Sequence, residues 1–176
     1  MLLRPFVAGD FDAVFDMQSR PEVVRYLYWD VRSEDEVHVA LEKKIAAARI
    51  KTEGDALFLA VVLKETGRLV GDVVLQLVSL EHQHGEVGFV IHPDHQGWGY
   101  ATEATRELLR IAFEDLKMHR VTGHLDARNQ ASARVLEKLG MRREAHLLEN
   151  EYVKSEWQSE VIYAMLDREW KGGAIE

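Results

Sequence analysis

The sequence predicts an α/β (α+β) fold: a mixed, largely antiparallel sheet flanked by helices. Three observations carry this. The chain has 176 residues, 47% hydrophobic and 30% charged, an ordinary globular balance at a length that buries one good core. Short β-rich apolar runs alternate with stretches whose apolar residues recur at helical spacing. Two of the runs are joined by a tight turn while others are separated by helices, so hairpins and strand–helix–strand units must share one sheet. No repeat, low-complexity tract or linker interrupts residues 1–176, which are read as a single domain.

The elements follow in order. Residues 2–7 form a short first strand. Asp10 is placed to cap a helix carrying Phe11, Val14, Phe15 and Met17, and Pro21 opens a second short helix. An aromatic patch, Tyr26-Leu27-Tyr28-Trp29-Asp30, ends regular structure there. Ser33-Glu34-Asp35-Glu36 is a capping box. Val37, Ala40, Leu41, Ile45 and Ala48 then predict a helix ending near Lys51. Residues 57–64 and 69–80, with a turn at 65–68, read as a hairpin. Residues 86–91 form the next strand, stopped by Pro93. Residues 101–116 form the clearest helix, with Ala101, Ala104, Thr105, Leu108, Ile111, Ala112 and Leu116 on one face. Residues 120–127 are a strand, and Asn129 caps a helix that Gly140 closes. Residues 142–149 and 160–166 read as the last two strands, with Tyr152 and Trp157 in the segment between them.

Composition narrows the function. With no cysteine there is no disulfide, thiolate metal site or cysteine nucleophile, and a reducing cytoplasm is the expected location. No basic region followed by a long apolar run opens the chain, so no signal peptide is expected. No apolar run is long enough to span a bilayer. A net charge of −8 argues against nucleic acid. It suits a cationic substrate, and equally it only keeps the protein soluble.

Residues 86–103 carry the chemistry. A strand ends at His92-Pro93, the loop Asp94-His95-Gln96-Gly97-Trp98-Gly99-Tyr100 follows, and the strongest helix begins. Glycines there allow a tight turn and close approach of a ligand to the amides. The first N–H groups of a helix lack internal partners and sit at the positive end of its dipole. Together these make a phosphate site, although Gly-x-Gly alone could equally serve only a turn. The Rossmann and Walker patterns do not fit: a third glycine at the right place and a Gly-Lys-Thr or Gly-Lys-Ser are both missing.

Gln96-Gly97-Trp98-Gly99-Tyr100-Ala101 resembles the pyrophosphate loop of the GNAT superfamily of N-acetyltransferases: Gln or Arg, two residues, Gly, one residue, Gly or Ala. Leu3-Arg4-Pro5, Gly88-Phe89-Val90-Ile91, Asn129 and Ser132 before Val135-Leu136-Glu137-Lys138-Leu139-Gly140-Met141, and the late Trp157 and Tyr163 are similar to its RimJ/RimL-like branch. The resemblance covers nearly the whole chain. It implies a GNAT-like sheet splayed between the fourth and fifth strands, with acetyl-coenzyme A in the gap. The loop amides of Gln96, Gly97, Gly99, Tyr100 and Ala101 would grip the pyrophosphate, with Trp98 and Thr102 in the same segment. The pantetheine arm would pair with the strand edge at Phe89 and Ile91. Gly88, a glycine within a strand, suggests a bulge or close backbone approach.

Acetyl transfer needs a neutral amine, a polarised thioester carbonyl and a proton for the leaving thiolate. An amide near Val90 is placed to donate to the developing oxyanion. Glu86 shares a strand face with Gly88 and Val90. The resemblance implies a general base there; the alternatives are a carboxylate that only orients the amine or a solvent-facing strand end. Where many relatives carry a tyrosine as acid, this chain has Ser132, which either serves the sulfur or makes a first-turn hydrogen bond. Asn129 caps the same helix and is also placed to touch the pantetheine. Tyr28, Trp29 and Tyr152 are candidates to contact the acceptor, and core packing or a homodimer contact would use them equally well. His82, His84, His92 and His95 lack further ligands at motif spacing, so no metal is expected. Ser19, Ser79 and Ser155 lack a nucleophile elbow.

The expected activity is thus acetyl-coenzyme A-dependent N-acetylation of a primary amine, foremost a peptide or protein N-terminal amine of the ribosomal-protein type. A small amine (aminoglycoside, polyamine or amino-acid derivative) is the alternative, and a catalytically silent acyl-coenzyme A-binding module is the reading from another class. A weakly placed base would favour a low-pKa amine, since an α-amine titrates near ~8 and a lysine near ~10.4. Acidic residues lining the acceptor cleft would favour a polycation, and an open groove a peptide.

Overall fold

The structure, a computed structural model, describes residues 1–170. Seven strands form one sheet in the order β1-β2-β3-β4-β5-β7-β6. They are β1 (Leu2–Arg4), β2 (Ala56–Val62), β3 (Leu69–Ser79), β4 (His84–Ile91), β5 (Arg120–Asp126), β6 (Arg142–Val153) and β7 (Glu156–Leu166). Every neighbouring pair is antiparallel except β4 and β5. That pair is joined only at His84–Arg120, Gly85–Val121 and Glu86–Thr122. Beyond Glu86 the two strands part, and the edge of β4 facing β5 is left open. On its other side β4 stays paired with β3 as far as Gly71–Ile91. This is the expected splay between the fourth and fifth strands.

Alternation along the strands assigns two cores. Val73 and Leu75 of β3 and Val87 and Ile91 of β4 pack against Ala104, Leu108 and Leu109 of α4 (Tyr100–Arg110). The same core includes Val121, Val161, Tyr163 and Leu136 of α5 (Gln130–Lys138). On the opposite face Ala60, Val62 and Phe6 meet Val14 and Met17 of α1 (Phe11–Gln18) and Val37 and Leu41 of α3 (Glu34–Ala46). The short α2 (Pro21–Val24) lies between α1 and α3 in the chain. Glu86, Gly88 and Val90 therefore point away from α4, toward the α1–α3 face.

The predicted elements are present, with these differences. The first strand stops at Arg4, and Asp10 does not cap α1 with its side chain, because its carboxylate accepts from Arg4 and from the Val7 amide. Helix α3 starts at the Ser33–Glu36 capping box, where Glu36 N donates to Ser33 Oγ and Ser33 N to Glu36 Oε2. It stops at Ala46 rather than near Lys51, because Ala48 bridges to Leu57 and Phe58 N donates to the Ala47 carbonyl. Residues 111–116, expected to continue the clearest helix, open into a π-helical turn at Ile111–Asp115. Residues 150–158, expected between the last two strands, instead extend them into a long hairpin. Lys154 and Ser155 turn it with φ of 51° and 64°, a left-handed pair that normally announces itself with Asn or Gly. Gly88 makes no bulge; its register with Val74 is regular, and an added Cβ would lie 3.0 Å from Val74 Cγ1.

Candidate active site

The loop between β4 and α4 is set by side chains that fold back onto the protein. His92 is buried; its Nε2 lies 2.9 Å from Asp16 Oδ2, and its Nδ1 accepts from Asp94 N at 3.2 Å. Accepting at Nδ1 leaves Nε2 to donate to the carboxylate. Gln96 Nε2 donates to the Ile91 carbonyl at 3.0 Å, closing the loop onto the end of β4. Gly97 and Gly99 have φ of 83° and 85°, and a Cβ on either would meet nothing within 4 Å. These glycines thus serve backbone conformation and leave free space above the loop. Gly99 is the N-cap of α4 and supplies no side-chain cap, so the first amides of α4 are left for an anion at the positive helix end.

A cavity of about 490 Å³ opens above this loop. Gln96, Gly97 and Gly99 through Thr102 line one side, and Asn129 and Ser132 another. Phe89, Val90 and Ile91 border it along β4. Asn129 Oδ1 accepts from Ser132 N at 3.1 Å, so Asn129 does cap α5. Arg134 and Lys138 of α5 also line this cavity. Sequence reasoning overlooked them, although their spacing of four puts both cations on one helix face. Glu22 is the acidic residue on the rim. Trp98, 75% exposed, is not in the lining. The open cradle, the unfilled helix amides and the two cations fit a polyphosphate such as coenzyme A.

A second cavity, of about 720 Å³, lies on the α1–α3 face. Glu86, Gly88 and Val90 line it along β4, and Tyr28, Trp29 and Arg32 line it from the segment before α3. Both cavities are bordered by Val23, Leu27, Phe89 and Val90. The splayed end of β4 at Phe89–Val90 is thus the boundary between them. Glu86 lies on one side of that boundary and Ser132 on the other.

Glu86 has neighbours that the sequence did not announce. His124 of β5 stands with Nε2 3.9 Å from Glu86 Oε2, beyond direct hydrogen-bond distance. Its Nδ1 donates to Glu160 Oε1 at 2.8 Å, and Glu160, on β7, is buried. Asn150 Nδ2 donates to the other Glu160 oxygen at 3.3 Å. Burial pushes the Glu86 carboxyl above the ordinary glutamate value; His124 opposes this and Glu160 adds to it. Burial, a hydrogen bond to Glu151 and the charges of Glu160 and Glu86 raise the Tyr28 phenol. The Glu86 end of this cavity is therefore acidic, and its carboxylate is biased toward holding a proton.

Not every expected residue comes together. Tyr152 stands on β6, 62% exposed, with its ring edge-on to Trp157 at 5.3 Å. It lines neither cavity. The structure does not bring it together with Glu86, Tyr28 and Trp29, because the hairpin extends past the point where the strands are expected to end. Trp29 does line the acceptor cavity, with the Arg32 guanidinium 4.7 Å from its ring centroid and its own Nε1 buried without a partner. Ser132 borders the same cavity as the β4–α4 loop, and its main-chain amide donates to Asn129 Oδ1. Among the described residues no helix is long and apolar enough to cross a membrane.

Known proteins share this architecture. The family described as "Acetyltransferase (GNAT) domain" matches residues 1–142. A Bacillus subtilis protein named "Uncharacterized N-acetyltransferase YnaD" is 32% identical over 97% of this chain and 95% of its own length. The crystal structure of a GNAT-family acetyltransferase from Bacillus anthracis superposes with a TM-score of 0.86 at 32% identity, over 96% of this chain and 95% of that one. A spermidine N-acetyltransferase from Vibrio cholerae, in complex with CoA and spermine, has the same fold: TM-score 0.80, 22% identity, 96% of each chain. With the family matched over most of its length and the coenzyme cradle in place, the chain belongs to the GNAT acetyltransferases and is an N-acetyltransferase that uses acetyl-coenzyme A.

Proposed function

We propose that the enzyme acetylates a small-molecule primary amine, bound in the 720 Å³ cavity with its nitrogen over Glu86. The observation that carries this is the cavity itself, which shares Phe89 and Val90 with the coenzyme cavity and has an acidic end at Glu86 beside Glu160. Its volume lies in the range of roughly 300–1,000 Å³ usual for small-molecule sites. The acceptor implied by the RimJ/RimL-like resemblance, a peptide amino terminus, is the alternative; the size of the cavity and the single carboxylate end at Glu86 favour a small amine.

Bound acetyl-coenzyme A supplies an acetyl thioester already activated toward amines. The amides of Gly97 and of Gly99 through Thr102 hold the pyrophosphate, with Arg134 and Lys138 as cationic partners for phosphate. Along β4, Phe89 and Ile91 would hold the pantetheine arm through amides on the open edge, whereas the Val90 amide turns toward β3, where Val90 pairs with Asp72 and the next amide but one, His92 N, donates to the Val70 carbonyl. Glu86 takes the proton from the incoming ammonium. An alkylamine near pKa ~10.4 is neutral in only about one molecule per thousand at neutral pH, so this step is needed. A carboxyl raised by burial is a better base than an ordinary one. His124, anchored by Glu160, is a positioning residue that holds the charge state of Glu86. Ser132 Oγ would donate its proton to the leaving sulfur and take in its place the second proton of the acylated nitrogen, so that amide and neutral thiol are released.

A thiol-release assay tests this with alkylamines, amino acids, polyamines and short peptides, alongside calorimetric binding of acetyl-coenzyme A. Turnover confined to small amines is the expected outcome. Turnover confined to peptides would replace this acceptor class, and tight binding with no turnover on any amine would favour the silent module.

A further inference from the structure

We infer that the acceptor is an amino carboxylate: its amine lies over Glu86 and its carboxylate is held by Arg32 at the far end of the same cavity. The inference rests on the small-amine reading and says what the rest of that amine looks like.

The cavity floor has two ends. Glu86 pairs with Gln76 across β3 and β4, and Val90 pairs with Asp72. Four residues of strand separate these pairs, about 13 Å at roughly 3.3 Å per residue. The Glu86 end is acidic, with Glu160 beside it. Lys44 and Asp72 mark the other end, paired at 2.7 Å, with the Lys44 ammonium 4.8 Å from the Phe58 ring centroid.

Arg32 belongs to that second end and is held in place. Its Nη1 donates to Gln18 Oε1 at 2.7 Å and its main-chain N to the Gln18 carbonyl at 3.1 Å. Gln18 is itself 5% exposed. The guanidinium lies over the Trp29 ring. Among the described residues, no carboxylate lies within the 4.0 Å of an ion pair with Arg32. The two carboxylates whose charge it feels, Glu36 and Asp72, are already committed. Glu36 accepts from Ser33 at the α3 cap, and Asp72 binds Lys44. A guanidinium has five N–H donors in a fixed fork, and Gln18 uses one of them. A stacked, oriented, carboxylate-free arginine lining a cavity is suited to bidentate recognition of a carboxylate. Lys43, also in the lining, adds positive charge there, while Asp35 and Glu36 stand exposed on the rim. A diamine of the same length would place its second ammonium against Arg32.

The test uses the whole enzyme with acetyl-coenzyme A and three acceptors of matched length: an ω-amino acid, the alkylamine lacking its carboxylate, and the corresponding diamine. Homologues from four to ten carbons cover the span. We expect kcat/KM for the best ω-amino acid to exceed that of both partners about tenfold or more, the worth of a charge-assisted bond. Arg32→Gln should collapse that ratio, and Arg32→Lys, which keeps charge without the fork, should restore it only in part. Preference for the diamine, or a ratio that survives Arg32→Gln in a folded protein, overturns the inference while leaving the small-amine reading intact. Failure of all three acceptors with acetyl-coenzyme A bound overturns both.

Discussion

Glu86 is a carboxylate whose charge the fold disfavours, and this has consequences for both rate and stability. Its pKa is raised above the ordinary 4.5, chiefly by burial. The folded state therefore binds this proton more tightly than the unfolded chain does. Stability associated with the protonated form is present below the unfolded pKa and is lost as pH rises through the folded one. Glu86→Gln should accordingly raise Tm at neutral pH, with the gain fading below about pH 4.5; a Tm series against pH checks this, and a gain that grows in acid would contradict it. The acid limb of the pH–kcat/KM profile should lie above the ordinary glutamate range and should move when His124→Gln removes the opposing imidazole. Strand alternation made Glu86 legible in the sequence. It also puts Thr122, His124 and Asp126 on one side of β5, but the sequence does not show which strand lies next to β5. Glu160 reaches His124 only because β5 pairs with β7 in the register Leu125–Val161 and Asp126–Glu160, a long-range fact. Arg32 is hidden for a related reason: Trp29 lies only three residues before it, but Gln18, which orients its guanidinium, lies fourteen residues back on α1.

At the scale of elements, the β4–α4 loop is the most local part of the site and the part best read in advance. A single contiguous segment contains the strand end, the two left-handed glycines and the helix start. Gly99→Glu should abolish acetyl-coenzyme A binding, because an anionic side chain would enter the free space over the helix amides. At φ 85° any side chain also strains the backbone, by about 1–2 kcal/mol. Gly99→Ala separates the two effects: it should lower Tm by a similar amount while calorimetry still detects the coenzyme. Equal loss of binding in both variants would point to backbone strain alone. Lys138→Glu should raise KM for acetyl-coenzyme A several-fold, more at low salt than at high. The hairpin β6–β7 was less legible. Lys154-Ser155 is not a recognisable turn pair, so the sequence predicts shorter strands and a loop holding Tyr152. Similarly, the apolar spacing at Ala48 suits a helix, but its bridge to Leu57 takes it into the sheet region.

The whole molecule brings the two half-sites together. One cavity lies on the α4–α5 side of the sheet, the proposed coenzyme site, and the other on the α1–α3 side, the proposed acceptor site; they share Phe89 and Val90, where β4 has parted from β5. One buried ion pair, Lys44 with Asp72, ties α3 to the sheet at the end of the acceptor cavity. Asp72→Ala would strand the Lys44 charge and should destabilise the protein by about 3–5 kcal/mol, measured by denaturant unfolding; Asp72→Ala paired with Lys44→Met should recover much of the loss. The alternation of strands and helices already implied a mixed sheet, whereas the meeting of the cavities depends on packing across that sheet. The most direct measurement is a comparison of wild-type and Glu86→Gln enzymes by thiol release with a small primary amine and by calorimetry with acetyl-coenzyme A. The account predicts that kcat falls about a hundredfold or more, the usual worth of a general base, while coenzyme affinity stays within about twofold, too small a change to matter. Undiminished turnover by folded Glu86→Gln would contradict the placement of the acceptor amine over Glu86.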